Sequence, residues 1–164
     1  MKSGKERLKI SGAEELLDLA ISAEMDAHHF YLRAADQVKD AKARATFLAL
    51  AGDEEGHRLQ LEEQYHHLYG KRMFQYRPGT SILHRYLKKD LNDVEAIALG
   101  IRAEKDAIAF YRESEGKARK PGLKKLLRAL AEFEEGHRRL LESEYQARLG
   151  RPWADSELDL WVRE

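Results

Sequence analysis

Apolar residues recur at a helical period in four long stretches of this chain, and turn-forming residues separate them. The spacing predicts a first helix that opens after Ser11, where Glu14 completes a Ser-x-x-Glu capping box, and runs to about Asp40. On it Leu17, Ala20, Ile21, Ala27 and Tyr31 fall on one stripe, and Glu24 lies on that stripe with them. A second helix is expected from about Ala41 to Tyr69, stopped by Gly70. The third opens at Asn92 as N-cap, with Glu95 three residues on, and reaches about Ala118; Pro121 suits the first turn of the fourth, which ends at Gly150. The connections between helices one and two and between three and four are short. Residues 71–90 form a longer link, with a turn signal at Arg77-Pro78-Gly79-Thr80 and an apolar segment, Ile82–Leu87, that fits a helical turn. Some twenty residues can travel the length of a bundle, so the pattern predicts an all-α four-helix bundle with one long crossover connection. The tail, 151–164, predicts a short amphipathic helix whose Trp153 and Trp161 dock on the bundle or on a second subunit.

The chain also repeats itself. Glu54-Glu55-Gly56-His57-Arg58 returns as Glu134-Glu135-Gly136-His137-Arg138, and Glu24, Tyr31, Tyr65 and Gly70 return as Glu104, Tyr111, Tyr145 and Gly150, always at the same offset. The bundle at 1–150 therefore reads as two pseudo-repeats, about 13–70 and 93–150, with 151–164 as an extension. Gly56 and Gly136 each cost a helix about 1 kcal/mol relative to alanine, and their repetition suggests a close helix approach.

Charge changes the picture mainly by exclusion. Lys+Arg 29 balance Asp+Glu 29, so no net field favours nucleic acid or an anionic membrane. The N-terminal MKSGKERLKI has no apolar core of a signal peptide, and no stretch nears the ~20 apolar residues of a membrane span. The expected setting is cytoplasmic. There is no cysteine, which removes disulfides, thiolate zinc sites, iron–sulfur clusters and a rubredoxin-type module.

Candidate chemistry follows from the faces of the helices. Residues i and i+3 share a face, so Glu54 and His57 point together, as do Glu134 and His137; Glu55 and Glu135 face elsewhere. Ile21, Leu50, Leu61, Ile101, Leu130 and Leu141 flank the acids at helical spacing and place Glu24, Glu54, Glu104 and Glu134 on buried stripes near mid-helix. Antiparallel packing brings those midpoints to one level. Four buried carboxylates repel one another and are poorly solvated, at several kcal/mol per uncompensated ion. Two divalent cations would neutralise them. Oxygen and imidazole donors without sulfur suit iron or manganese, with zinc able to compete. Tyr31 and Tyr111, seven residues beyond Glu24 and Glu104, are placed to bond the ligating carboxylates. His28, one turn after Glu24, is in reach of the site's edge, whereas His29, His66, His67 and His84 read as surface residues and Asp26 and Asp106 as solvated.

Ala23-Glu24…Phe30-Tyr31, Asp53-Glu54-Glu55-Gly56-His57, Ala103-Glu104…Phe110-Tyr111 and Glu134-Glu135-Gly136-His137 together resemble the ferritin-like di-iron carboxylate bundles, and within them the rubrerythrin-type proteins. The resemblance spans roughly Ala13 to Gly150. It implies two iron ions, with manganese or zinc able to substitute, bound by Glu24, Glu54, His57, Glu104, Glu134 and His137. Glu54 and Glu134 would bridge, and with Tyr31 and Tyr111 they form the catalytic set. It implies an oxidoreductase that reduces hydrogen peroxide or O2 while oxidising iron(II), in oxidative-stress defence. An external electron donor and a homodimer go with that reading. Two departures stand out. Rubrerythrins carry a further glutamate three residues after the third-helix ligand, where this chain has Ala107, mirrored by Ala27. The ligand set is thus closer to the symmetric six-residue site of bacterioferritins. The competing readings are an iron-binding ferroxidase for storage or delivery, and a metal-free structural bundle.

Overall fold

The computed structural model describes residues 12–161. The element order is α1 (Gly12–Gln37), α2 (Ala41–Tyr69), α3 (Asp93–Lys117), α4 (Pro121–Leu149) and a terminal turn α5 (Leu158–Trp161), with short 3-10 turns at Ile82–Tyr86 and Asp155–Glu157. The four long helices pack in pairs, α1 on α2 and α3 on α4, which is the expected all-α four-helix bundle. No described helix is long and apolar enough to cross a membrane.

Each helix ends where its local chemistry dictates. The Asp40 carboxylate accepts from the Ala43 amide and the Asn92 side chain from the Glu95 amide, each satisfying an orphan donor of a first turn. Pro121 occupies the first turn of α4, where its missing N–H costs nothing. Gly150 closes α4 in the left-handed conformation at φ 67°, donating its amide to the Gln146 carbonyl. Helix α1 stops at Gln37, three residues short of the expected Asp40, because Asp40 is already in use as the cap of α2. The proposed Ser11 capping box lies outside the described residues.

The core divides into two apolar clusters along the bundle axis. One gathers Phe30, Tyr31, Phe47, Leu50, Ile97, Ile101, Leu141 and Tyr145; the other gathers Leu17, Ile21, Leu61, Tyr65, Tyr111, Leu127 and Leu130. Burying each such large apolar side chain stabilises the fold by about 1.5–3 kcal/mol. In every helix the candidate ligands fall between the part belonging to one cluster and the part belonging to the other. A polar layer therefore crosses an otherwise oily interior, clamped from both ends. At Gly100 the chains come unusually close: an added Cβ would lie 2.9 Å from Leu141 Cδ1 and 3.3 Å from the Tyr31 hydroxyl. No such approach exists at Gly56 or Gly136, where an added Cβ would meet nothing within 4 Å, so the close packing expected there is absent within the chain.

The crossover lies on the α1 and α3 side, its 3-10 turn contacting both helices. A row of polar residues on α1 receives it. Asp18 accepts from the Gln75 amide at 2.9 Å and from Arg77, Ser22 Oγ accepts from the Arg77 amide at 2.9 Å, and Asp26 accepts from the Tyr76 hydroxyl at 2.6 Å. His84 Nδ1 stands 3.4 Å from the other Asp26 oxygen. Asp26 is thus buried and not solvated as its position suggested, because a segment fifty residues away covers it. Asp106 is exposed, as expected. The tail docks on the same molecule: Trp153 meets the Tyr145 ring edge-on with centroids 4.9 Å apart, and Trp161 Nε1 donates to the Tyr145 hydroxyl.

Asp18→Ala removes two acceptors from the crossover and is expected to destabilise the protein by about 1–3 kcal/mol. Urea denaturation and amide exchange measure this. Unchanged stability with unchanged protection of the Gln75 amide would show that the row on α1 does not hold the crossover.

Candidate metal centre

Glu24 comes from the middle of α1, Glu54 and His57 from α2, Glu104 from α3, and Glu134 and His137 from α4; all are buried. They converge in two overlapping groups. Ligand-capable atoms of Glu24, Glu54, His57 and Glu134 lie within 4.8 Å of one another, and so do those of Glu54, Glu104, Glu134 and His137. Glu54 and Glu134 belong to both. The Glu-x-x-His spacing on α2 and α4 makes this possible, since acid and imidazole share one face.

Both imidazoles turn Nδ1 into the cluster. His57 Nδ1 lies 3.4 Å from Glu134, 3.5 Å from Glu54 and 3.7 Å from Glu24. His137 Nδ1 lies 2.9 Å from Glu54, 2.9 Å from Glu134 and 3.6 Å from Glu104. One ring nitrogen carries at most one proton and cannot satisfy three carboxylates. Accordingly Glu24 Oε2, Glu54 Oε1 and His57 Nδ1 are buried without a hydrogen-bond partner. Orphaned carboxyl oxygens around inward-facing imidazole nitrogens are, once deprotonated, the donor set of a divalent cation pair, and the residues fit one.

The protonation of the metal-free cluster tells the same story. Burial would push His57 toward neutrality, but Glu134, Glu24 and Glu54 outweigh it and raise its pKa to about 12. His137 is likewise raised by Glu104, Glu134 and Glu54 against the effect of burial. Burial first, and neighbouring acids second, push Glu54 and Glu134 well above the usual carboxylate range. Glu24 goes the other way: burial opposes ionisation, yet the nearby Glu54 carboxyl, the His57 imidazolium and the Tyr111 hydroxyl bring it to about 2. Protons thus occupy the place that cations would take.

The tyrosines reach across the repeats. Tyr31 of α1 donates to Glu104 of α3 at 2.6 Å, and Tyr111 of α3 donates to Glu24 of α1. Burial and the surrounding acids hold both phenols far above pKa 10, so they remain donors. His28 bonds elsewhere: its Nδ1 lies 2.7 Å from the Ala51 carbonyl, tying α1 to α2. Two participants were not singled out from the sequence. Asp53 meets His137 Nε2 at 3.0 Å, and Gly100 makes room for the Tyr31 hydroxyl. Only the mismatch of Asp53 with Phe133 in the repeat pointed to the first. A cavity of about 90 Å3 opens onto the cluster from the α1–α3 side, walled by Ala23, Ala27, Ala103, Ala107 and Phe110 and edged by Thr80 and Ser81 of the crossover.

A helical bundle whose polar layer presents two glutamate–histidine groups sharing two acids has the donors to hold a pair of metal ions. The rubrerythrin family pattern matches residues 15–145, and the chain belongs to the rubrerythrin family. Without cysteine, this sequence carries no rubredoxin-type iron site. A solved structure of a hypothetical protein from Pyrococcus furiosus is similar over 97% of this chain and 98% of that one, with a TM-score of 0.72 and 23% identity, a likeness of fold. No curated protein matches the chain.

Metal binding must displace protons from this cluster, so affinity should rise with pH. Because His57 holds its proton up to about pH 12 in the metal-free protein, the rise should continue from about pH 6 to about pH 8 without levelling near the usual imidazole value. Calorimetry of manganese(II) binding in buffers of different ionisation enthalpy should show net proton release. Affinity that is flat across this range, with no proton released, would contradict the protonated cluster.

Proposed function

We propose that this chain is a di-iron carboxylate oxidoreductase that reduces hydrogen peroxide or O2 while oxidising iron(II), in defence against oxidative stress. The observation that carries the reading is the pair of four-residue groups overlapping at Glu54 and Glu134. Glu24 and His57 would serve one iron and Glu104 and His137 the other, with Glu54 and Glu134 common to both. Oxygen and imidazole donors favour iron, and manganese or zinc can substitute. A bound iron pair would supply two electrons for the reduction of a small oxygen species.

The chain's own residues support that chemistry. Tyr31 and Tyr111 hold Glu104 and Glu24 by hydrogen bonds and keep their protons at neutral pH, which fixes the two outer carboxylates. The two apolar clusters exclude water from both ends of the layer. The alanine-walled cavity gives a narrow approach matched to a molecule of a few atoms. With no thiolate iron site in the sequence, electrons for a second cycle come from an outside donor. A cytoplasmic setting and a homodimer belong to the same proposal.

Ferroxidation for iron storage or delivery is the second reading, supported by the regular ligand set and by Ala107 where rubrerythrins carry a further glutamate. Sustained turnover of peroxide or O2 with an added reductant favours the first reading. Oxidation of bound iron(II) once, with no turnover, favours the second.

Glu54→Gln together with Glu134→Gln should leave helicity intact, because both acids hold protons in the metal-free cluster and an amide matches the neutral carboxyl in shape. Circular dichroism melting should place the metal-free variant at or above the wild-type Tm. Iron(II) or manganese(II) should raise the Tm of the wild type and not of the variant. Stopped-flow oxidation of anaerobically loaded iron(II) should be abolished. A variant that still oxidises iron stoichiometrically would remove Glu54 and Glu134 from the proposed role.

A further inference from the structure

The two repeats supply matching ligands, but what lies behind the two histidines does not match. His137 Nε2, the ring nitrogen pointing out of the cluster, is 3.0 Å from Asp53 Oδ2. The counterpart of Asp53 in the second repeat is Phe133, and its ring packs against the His57 imidazole with centroids 5.3 Å apart. The two imidazoles are themselves stacked 5.6 Å apart, so Asp53 and Phe133 back adjacent rings at the same level of the bundle. One histidine is backed by an anionic acceptor and the other by an aromatic face.

We propose that Asp53 is a positioning residue that makes the two metal sites unequal, so that the ion on the Glu104/His137 side is held and the ion on the Glu24/His57 side exchanges. This rests on the two-metal reading of the cluster. A carboxylate accepting from Nε2–H keeps the proton on that nitrogen, turns the Nδ1 lone pair inward and strengthens it as a donor. Asp53 is half exposed, so it acts through this contact and not through a buried charge. Phe133, itself about half exposed, meets the His57 ring by apolar contact and offers it no acceptor. Among the described residues no carboxylate backs the His57 ring as Asp53 backs His137, so its lone pair is the weaker donor. Both sites draw on Glu54 and Glu134, so the backing residues are where the repeats differ next to the ligands.

The test is a titration of metal-free protein with cobalt(II), followed by calorimetry and by the visible spectrum of the bound ion. Two separable steps are expected. Asp53→Ala should weaken the tighter step by about 10–100-fold and bring the two together. Phe133→Asp should strengthen the weaker one. Asp53→Asn, which still accepts from Nε2–H, should recover part of the loss. Identical steps in the wild type, or an equal loss of both in Asp53→Ala, would overturn the proposal. A second readout needs no metal. In the proton–nitrogen spectrum of the metal-free protein, a slowly exchanging His137 Nε2–H should be present and should vanish in Asp53→Ala; persistence would overturn the contact itself. A chain that bound no cobalt(II) would instead overturn the two-metal reading, while the ring N–H measurement still decided the role of Asp53.

Discussion

Four glutamates and two histidines are packed into one layer of a bundle interior, and the rest of the structure is organised around making that layer tolerable. Left alone, the carboxylates are held by shared protons, by imidazolium charge and by two phenols. The arrangement is unfavourable compared with an apolar core of the same volume. It persists because large apolar clusters on both sides of the layer supply the stability that the layer removes. The same strain would favour a bound cation pair, which would relieve repulsion that folding alone leaves in place.

Much of this was legible along the chain because its determinants are local. Asn92, Pro121 and Gly150 act within one turn of themselves, and the helix boundaries they set are the observed ones. The convergence of the six candidate ligands was legible because Glu-x-x-His places two donors on a helix face and the repeat does so twice. What escaped was set by partners far away in sequence. Asp26 looked solvated because nothing on α1 announces that Tyr76 and His84 will cover it. Gly100 sits in an unbroken helical pattern, and only the meeting of α3 with Tyr31 and Leu141 shows why a side chain is missing there. Gly56 and Gly136 misled in the opposite sense: repetition suggested contact, and their surroundings within the chain are open.

The departures from internal symmetry fall into a pattern. The six candidate ligands and the two tyrosines that bond them are duplicated, whereas several residues one step removed diverge. Asp18, Ser22 and Asp26 on α1 receive the crossover, whereas of their counterparts Ala98, Arg102 and Asp106 the last two pair with each other on the side of α3 where the tail lies. Asp53 and Phe133 differ behind the histidines. The common chemistry is thus held twice, while each half is adapted to a different neighbour.

The reciprocal tyrosine bonds bear on how the molecule comes apart. Tyr31 grips the acid of the other half and Tyr111 returns the grip, so neither half keeps its outer carboxylate in place when its twin departs. Loosening one hairpin undoes the cluster of acids and imidazoles in both, and the centre is won or lost as a whole. A severed half could rebuild the full complement of donors only by pairing with another copy of itself about the pseudo-dyad, for each half contains one of everything and the cluster requires two.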